Sequence, residues 1–245
     1  MATAEMQSYW SSLAHSYAMM GPPLRPSRED VRHMQETVAA WAAAHSNRAL
    51  NALLLGVTPD IANMPWPAAM TLVGLDSALP MTQAVWPGNI PLKRWVVCGS
   101  WRAIPRAARS CDVVLGDGAI NCVRYPAGCR DVAAEAWRVL RDDGIMVLRC
   151  YVQPAVQESP EDVMAGMFKQ PHPSFHHFKL RLLMAMQPST GQGVAVDDVY
   201  RLWARQRFSV EAVEAQTGWD RAAIDTIEMY RETNTVHTFP NRVEL

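Results

Sequence analysis

With 245 residues, 49% of them apolar, the chain has enough material for one α/β domain with appendages around a sizeable core. Its 23 basic residues against 24 acidic ones give a net charge of −1. That lacks the electrostatic footprint of a protein gripping a nucleic-acid backbone or an anionic membrane, and a small or neutral ligand is favoured. The five cysteines, Cys98, Cys111, Cys122, Cys129 and Cys150, are odd in number and contain no CxxC pair, and three of them lie in or beside apolar runs, which suits reduced, buried thiols of a cytoplasmic protein better than a disulfide framework or a zinc site. The opening residues lack a basic region followed by an apolar run, and no stretch has the length of a membrane span.

Residues 1–20 carry Tyr9, Trp10, His15, Tyr17, Met19 and Met20, with Trp10, Leu13 and Tyr17 at helical spacing. The segment reads either as a helix packed on the core or as a lid. The paired prolines of GPPLRPS, residues 21–27, end it, and Ser27 caps a second helix whose apolar positions are Val31, Met34, Val38 and Trp41. An apolar run at 50–57 then meets the turn Thr58-Pro59-Asp60, followed by a short helix that Pro65 and Pro67 interrupt. TLVGLD, residues 71–76, reads as a buried parallel strand, SALPMTQAVWPGN as a helix closed by Pro87 and Gly88, and 93–101 as a third strand. After a basic loop with Arg102, Arg106 and Arg109, a fourth strand spans 111–116, a helix 128–140 and a fifth strand 144–152. Strands alternating with helices imply βαβ units and a parallel sheet.

Beyond residue 153 the alternation stops. Segments 163–168, 174–187, 197–208 and 219–232 read as helices, with a short strand at Val236–Phe239. The fold expected is therefore α/β: a Rossmann-like, doubly wound, mostly parallel sheet with helices on both faces and a helical cap. The organisation expected is an N-terminal helical lid at 1–48, a cofactor-binding core at 49–152, and a cap, substrate region and sheet edge at 153–245.

In such sheets ligands bind beyond the carboxyl ends of the strands. Gly56 and Thr58, Asp76, Gly99 and Ser100, and Asp117 with Gly118 fall there, and Asp76 lies 20 positions after Gly56, close to the spacing at which a carboxylate accepts hydrogen bonds from a ribose diol. Each residue also has a plainer reading: the leucines as core, Gly56 as a turn, Asp76 as a helix cap. The pattern GxGxxG is absent. Pro59 removes an amide donor and Asp60 adds a negative charge where a phosphate would sit, so NAD, FAD and ATP are disfavoured and a phosphate-free nucleoside with a positive centre is favoured.

The succession LLLGVTPD, LVGLD, VCGSW, DVVLGDG and RVLRDDGIMVLR, over roughly residues 50–152, resembles the class I S-adenosylmethionine-dependent methyltransferase family. The resemblance implies S-adenosylmethionine as cofactor and a methyl group transferred to oxygen or nitrogen of a small-molecule substrate. It implies Gly56 and Thr58 beside the methionine moiety, Asp76 on the ribose, Met81 flanking the adenine, and Ser100 and Trp101 against its edge or face. Asp117, Gly118 and Ala119 would lie near the sulfonium, with Val57, Ser77 and Gly99 completing the cofactor-binding set. The first turn keeps one glycine where the family keeps two or three. Such folds also usually end in an antiparallel hairpin that completes the sheet. Here that hairpin is abbreviated, lies beyond the given sequence, or is replaced by a partner.

For a base, His172, His176 and His177 in PHPSFHHFK are candidates, and they read equally as partly exposed helix residues. Pro173 between His172 and His176, with no nearby carboxylate or cysteine, argues against a metal site. Tyr9, Trp10 and Tyr17 are lid candidates, Arg25 a partner for a carboxylate of cofactor or substrate, and Asn121 and Tyr125 substrate-side residues. No membrane partner is expected, nucleic acid is disfavoured, and a homodimer stays open. Two further readings remain: a methyltransferase-like scaffold acting through protein contacts, and an enzyme using the same cofactor without methylating.

Overall fold

The computed structural model describes residues 4–45, 47–169 and 173–245, with side chains from residue 9 onward. Its centre is a five-stranded sheet built from β1 (Leu50–Leu55), β2 (Met70–Asp76), β3 (Arg94–Cys98), β4 (Cys111–Asp117) and β5 (Leu140–Arg149). Spatial order is β3-β2-β1-β4-β5 and every pairing is parallel. The order reverses at β1, which leaves a crevice beyond the carboxyl ends of β1, β2 and β4. This is the Rossmann-like, doubly wound sheet that the alternating pattern predicts.

Alternation along the strands sorts side chains into two layers. Leu50, Ala52 and Leu54 of β1, with Val113 and Leu115 of β4, join a large cluster on one face; Leu53, Leu55, Val73, Leu75 and Val114 join a second cluster on the other. The second is covered by α5 (Ala127–Val139) through Val132, Ala136 and Val139. The first is covered by α1 (Ala4–Ser16), α2 (Arg28–Ala44), α3 (Pro59–Ala62) and α4 (Leu79–Ala84), and continues to Phe175, Phe178 and Phe239.

Local chemistry accounts for the element ends. Ser27 and Asp30 form a reciprocal capping box on α2, with Asp30 N–H on Ser27 Oγ at 3.1 Å and Ser27 N–H on Asp30 Oδ2 at 2.7 Å, an arrangement worth about 1 kcal/mol. β3 is shorter than the predicted 93–101 because the chain turns away at Gly99. β5 begins earlier than predicted, at Leu140, with a register shift against β4 between Cys111 and Val113.

The C-terminal third holds α6 (Pro160–Gly166), α7 (Phe175–Met186), β6 (Val194–Ala195), α8 (Val196–Arg205), α9 (Val210–Thr217), α10 (Arg221–Asp225) and β7 (Val236–His237). The helix expected over 219–232 is split into α10 and a 3₁₀ turn at Thr226–Tyr230, and α9 is an element the hydrophobic spacing does not reveal. β7 pairs antiparallel with β6 in a separate two-stranded sheet. Among the described residues it therefore does not complete the central sheet, whose last strand is β5. All five thiols are free: Cys111 is buried, Cys122, Cys129 and Cys150 are half-buried, and Cys98 is exposed. Among the described residues no helix is long and apolar enough to cross a membrane.

Candidate active site

Beyond the carboxyl ends of the strands lies a cavity of about 710 Å³, within the range of sites that enclose drug-sized ligands. Gly56, immediately after β1, has φ +112°, a conformation that side chains other than glycine's disfavour, and its amide donates to Leu75 O at 2.8 Å. Trp101 stands beside it, held by an indole N–H donated to Leu75 O at 2.6 Å. The backbone of β1 thus meets the cavity with an aromatic edge next to it.

Asp76 ends β2, is 9% exposed, and lines the cavity. Among the described residues the one hydrogen-bond partner of its carboxylate is the Ala78 amide, 2.8 Å from Oδ1. Burial pushes its carboxyl up to about 6, with the Ala78 bond opposing. A buried carboxylate with acceptor capacity still open toward a cavity fits a pair of hydroxyl donors such as a ribose diol.

Asp117, at the end of β4, receives Arg149 Nε at 2.5 Å. Arg149 also donates to Pro23 O and to the Tyr151 hydroxyl, both at 2.9 Å, and Tyr151 donates to Pro23 O at 2.8 Å. Burial raises the Asp117 carboxyl and outweighs Arg149, which lowers it. Gly118 follows with φ +62°; a Cβ there would sit 3.1 Å from the Tyr151 ring. The N-terminal segment is thus tied to the cavity wall through Pro23.

A second tie is Arg25, whose guanidinium makes a bidentate pair with Asp60 at 2.9 Å and lies 4.8 Å over the Tyr17 ring. The carboxylate it meets belongs to the chain's own α3. This revises the case against phosphate, since Arg25 neutralises the charge of Asp60. The missing amide at Pro59 remains.

Of the predicted cofactor set, Gly56, Val57, Thr58, Asp76, Ser77, Met81, Ser100, Trp101, Asp117 and Gly118 line the cavity. Gly99 and Ala119 do not: a Cβ on Gly99 would be 3.0 Å from Leu75 behind the strand end, and Ala119 is buried in the second core cluster. Tyr9, Trp10, Tyr17, Arg25 and Asn121 also line it, whereas Tyr125 lies outside.

The predicted histidines are placed elsewhere. His176 is packed under the Met19–Gly21 turn, with Nε2 3.0 Å from Met19 O, and burial together with Lys179 pushes it down to about 4. His177 is near Arg181 and Glu158, and its backbone amide donates to Ser174 Oγ at 3.2 Å. Neither lines the cavity, because the face of α7 that reaches it carries Leu180 and Leu183. His172 lies outside the described residues.

The histidine that does line the cavity is His237 on β7. Its Nδ1 is 3.3 Å from Asn121 O and its Nε2 3.4 Å from the Tyr9 hydroxyl. Tyr151, Tyr230 and Phe239 join it on the same wall. Asn121 fixes this wall: its Nδ2 donates to Tyr151 O at 2.8 Å and Thr238 O at 2.7 Å, and its Oδ1 accepts from Tyr151 N–H at 2.9 Å. Nothing in the spacing of the sequence links position 237 to position 9. The short predicted strand was the one available signal.

No family model and no curated protein matches the sequence. Among solved structures, a Rhodobacter sphaeroides protein put forward as a Zn-dependent alcohol dehydrogenase is similar over 98% of this chain and 83% of its own, at 12% identity and a TM-score of 0.57. The CcbJ methyltransferase from Streptomyces caelestis is similar over 61% of each chain, at 21% identity and a TM-score of 0.48. A Galdieria sulphuraria protein put forward as a sarcosine dimethylglycine methyltransferase matches over 94% of this chain and 95% of its own, at 15% identity and a TM-score of 0.45. The chain spans about three fifths of the length of the Streptomyces enzyme. The first likeness shows a common fold, and at such identity says nothing of chemistry. Among the described residues no three His, Cys, Asp or Glu side chains are grouped to hold a metal ion.

Proposed function

We propose that the protein is an S-adenosylmethionine-dependent methyltransferase acting on a small molecule. The observation that carries this reading is Asp76: a buried carboxylate at the end of β2, bonded to one amide and open to a cavity whose other wall begins at Gly56. Asp76 would hold the ribose hydroxyls, the Gly56–Thr58 turn the methionine moiety, and Met81, Ser100 and Trp101 the adenine. When bound, the cofactor supplies a methyl group on a sulfonium, which is transferred by in-line displacement. The chain's contribution is then alignment, exclusion of water beneath Tyr9, Trp10 and Tyr17, and acceptance of a proton where the acceptor has one to lose.

Calorimetric titration with S-adenosylhomocysteine tests it. Saturable binding by the wild type, weakened about tenfold to a hundredfold in Asp76→Ala, is the expected result. No binding by the wild type would leave the scaffold reading, in which the single-glycine turn reflects a lost cofactor site and the chain acts through protein contacts. Binding without any methylated product would point to a different use of the cofactor.

A further inference from the structure

The wall opposite the Gly56–Asp76 edge holds one titratable group in a defined tautomer. His237 Nδ1 faces the Asn121 carbonyl, which can only accept, so Nδ1 carries the hydrogen and Nε2 presents its lone pair. Nε2 has as its neighbour the hydroxyl of Tyr9, which lines the cavity with it, at a long 3.4 Å and with the Tyr9 ring edge-on at 67°. Burial lowers the imidazolium's pKa, so the ring is neutral near pH 7 and able to accept a proton.

The surroundings restrict what can approach. Tyr9, Trp10, Tyr230 and Phe239 offer ring faces and edges. Three of the four arginines on the cavity wall are paired, Arg25 with Asp60, Arg149 with Asp117 and Arg102 with Asp131, and the fourth, Arg124, is exposed. Among the described residues a carboxylate would find no unpaired cation on the wall other than the exposed Arg124. A protonated alkylamine would bring a charge into this largely aromatic wall without a carboxylate to pair it there, and an aliphatic alcohol is too weak an acid to match the imidazole. A phenol-type hydroxyl, at about 10, is far nearer the imidazole in acidity than an aliphatic hydroxyl, and it carries a flat ring suited to the surrounding aromatic faces.

We infer that this wall receives an uncharged, planar, phenol-class substrate whose hydroxyl donates to His237 Nε2 in place of the Tyr9 hydroxyl. The inference rests on the methyltransferase reading of the same cavity. On transfer the O–H bond breaks toward Nε2, the oxygen's freed pair forms the O–CH₃ bond, and the pair of the S–CH₃ bond stays on sulfur as a neutral thioether. The proton rests on His237 until solvent takes it. Asn121 is a positioning residue here: its carbonyl fixes the tautomer.

The test uses the full chain with S-adenosylhomocysteine present, and three probes: naphthol, its methyl ether methoxynaphthalene, and naphthoate. Affinities are read by calorimetry, and the His237 Nε2 resonance by NMR on isotope-labelled histidine. Naphthol is expected to bind about tenfold more tightly than either of the others, and to move the Nε2 resonance, which the ether leaves in place. In His237→Phe the preference for naphthol over the ether collapses while the ether's affinity is kept. His237→Gln retains the preference, since an amide oxygen also accepts, but does not transfer the methyl group. Equal binding of naphthol and ether, tightest binding of naphthoate, or an unmoved Nε2 resonance overturns the proposal. The resonance experiment needs no variant and so holds even where a substitution fails to fold. Absence of S-adenosylhomocysteine binding is a different failure, because it removes the methyltransferase reading itself.

Discussion

Lys179 donates to the Thr226 hydroxyl at 2.6 Å and, although fully buried, has no carboxylate partner among the described residues. Burial pulls its ammonium down to about 7 from the usual 10.5, while the rings of Phe175 and Tyr230, 5.6 and 5.1 Å away, pull the other way. Between those values the unfolded chain holds the proton that the folded one has released, so this group makes stability rise with pH. Its contribution is lowest below pH 7, where the charge is buried. Lys179→Met should therefore be more stable than wild type at pH 6.5, by about 1–3 kcal/mol, with the gap narrowing by about 2 kcal/mol by pH 9. Urea unfolding of both proteins at several pH values checks this. A gap that does not change with pH would mean that the lysine does not titrate in this window.

Asp76 gives the ligand site its own pH dependence. Its carboxyl is at about 6 in the unliganded protein, and two hydroxyl donors stabilise the ionised form. The desolvation this represents, on the order of 3 kcal/mol, is similar in size to two charge-assisted hydrogen bonds. Adenosine or S-adenosylhomocysteine should therefore bind with proton release near pH 6, and affinity should fall toward about tenfold per pH unit below pH 5.5. Calorimetry in buffers of different ionisation enthalpy measures the protons released. Asp76→Asn should bind more weakly with no such dependence, and a pH-independent wild type would remove Asp76 from the ligand.

The Arg25–Asp60 pair is about a quarter exposed on both sides, so its contribution to global stability is small, about 1 kcal/mol or less. Its effect is local. Asp60→Ala should speed amide hydrogen exchange over residues 9–25 while shifting the melting temperature little. Unchanged exchange would show that the Pro23 contacts of Arg149 and Tyr151 hold the segment without help.

Asn121→Ala should be among the most damaging substitutions outside the apolar core. It leaves the Tyr151 amide and the Tyr151 and Thr238 carbonyls without their partner, at a cost of about 2–4 kcal/mol. Chemical denaturation would show it as a lower midpoint with an unaltered slope. A loss below about 0.5 kcal/mol would mean that water replaces the amide without penalty.

The five strands and the residues at their carboxyl ends were legible because short apolar runs bounded by glycine and proline turns are local properties, as the almost continuously buried runs at Leu50–Leu55 and Cys111–Asp117 illustrate. The cap on α2 was legible for the same reason. The helix α9 was not, since it carries one buried position, Val213; Ser209 as its cap and Gly218 at φ +71° were the available signals. Which side of α7 meets the cavity was equally hidden. His176 and His177 lie on the right helix, in its first turn, but not on the part that reaches the cavity, and helical phase is fixed only by what packs against it. The partner of Arg25 and the placement of His237 depend on contacts across 35 and 228 positions, and no spacing rule reaches that far.

The Tyr9–His237 contact has a consequence for how the protein comes into being. One wall of the cavity is itself drawn from segments 228 positions apart, so the ribosome must have released nearly all of the described chain before the cavity can close. The sheet can pair earlier, leaving its apolar first face waiting for the cap. Binding competence should thus arrive last, after the bulk of the secondary structure, and a ligand that needs both walls would select fully folded molecules alone.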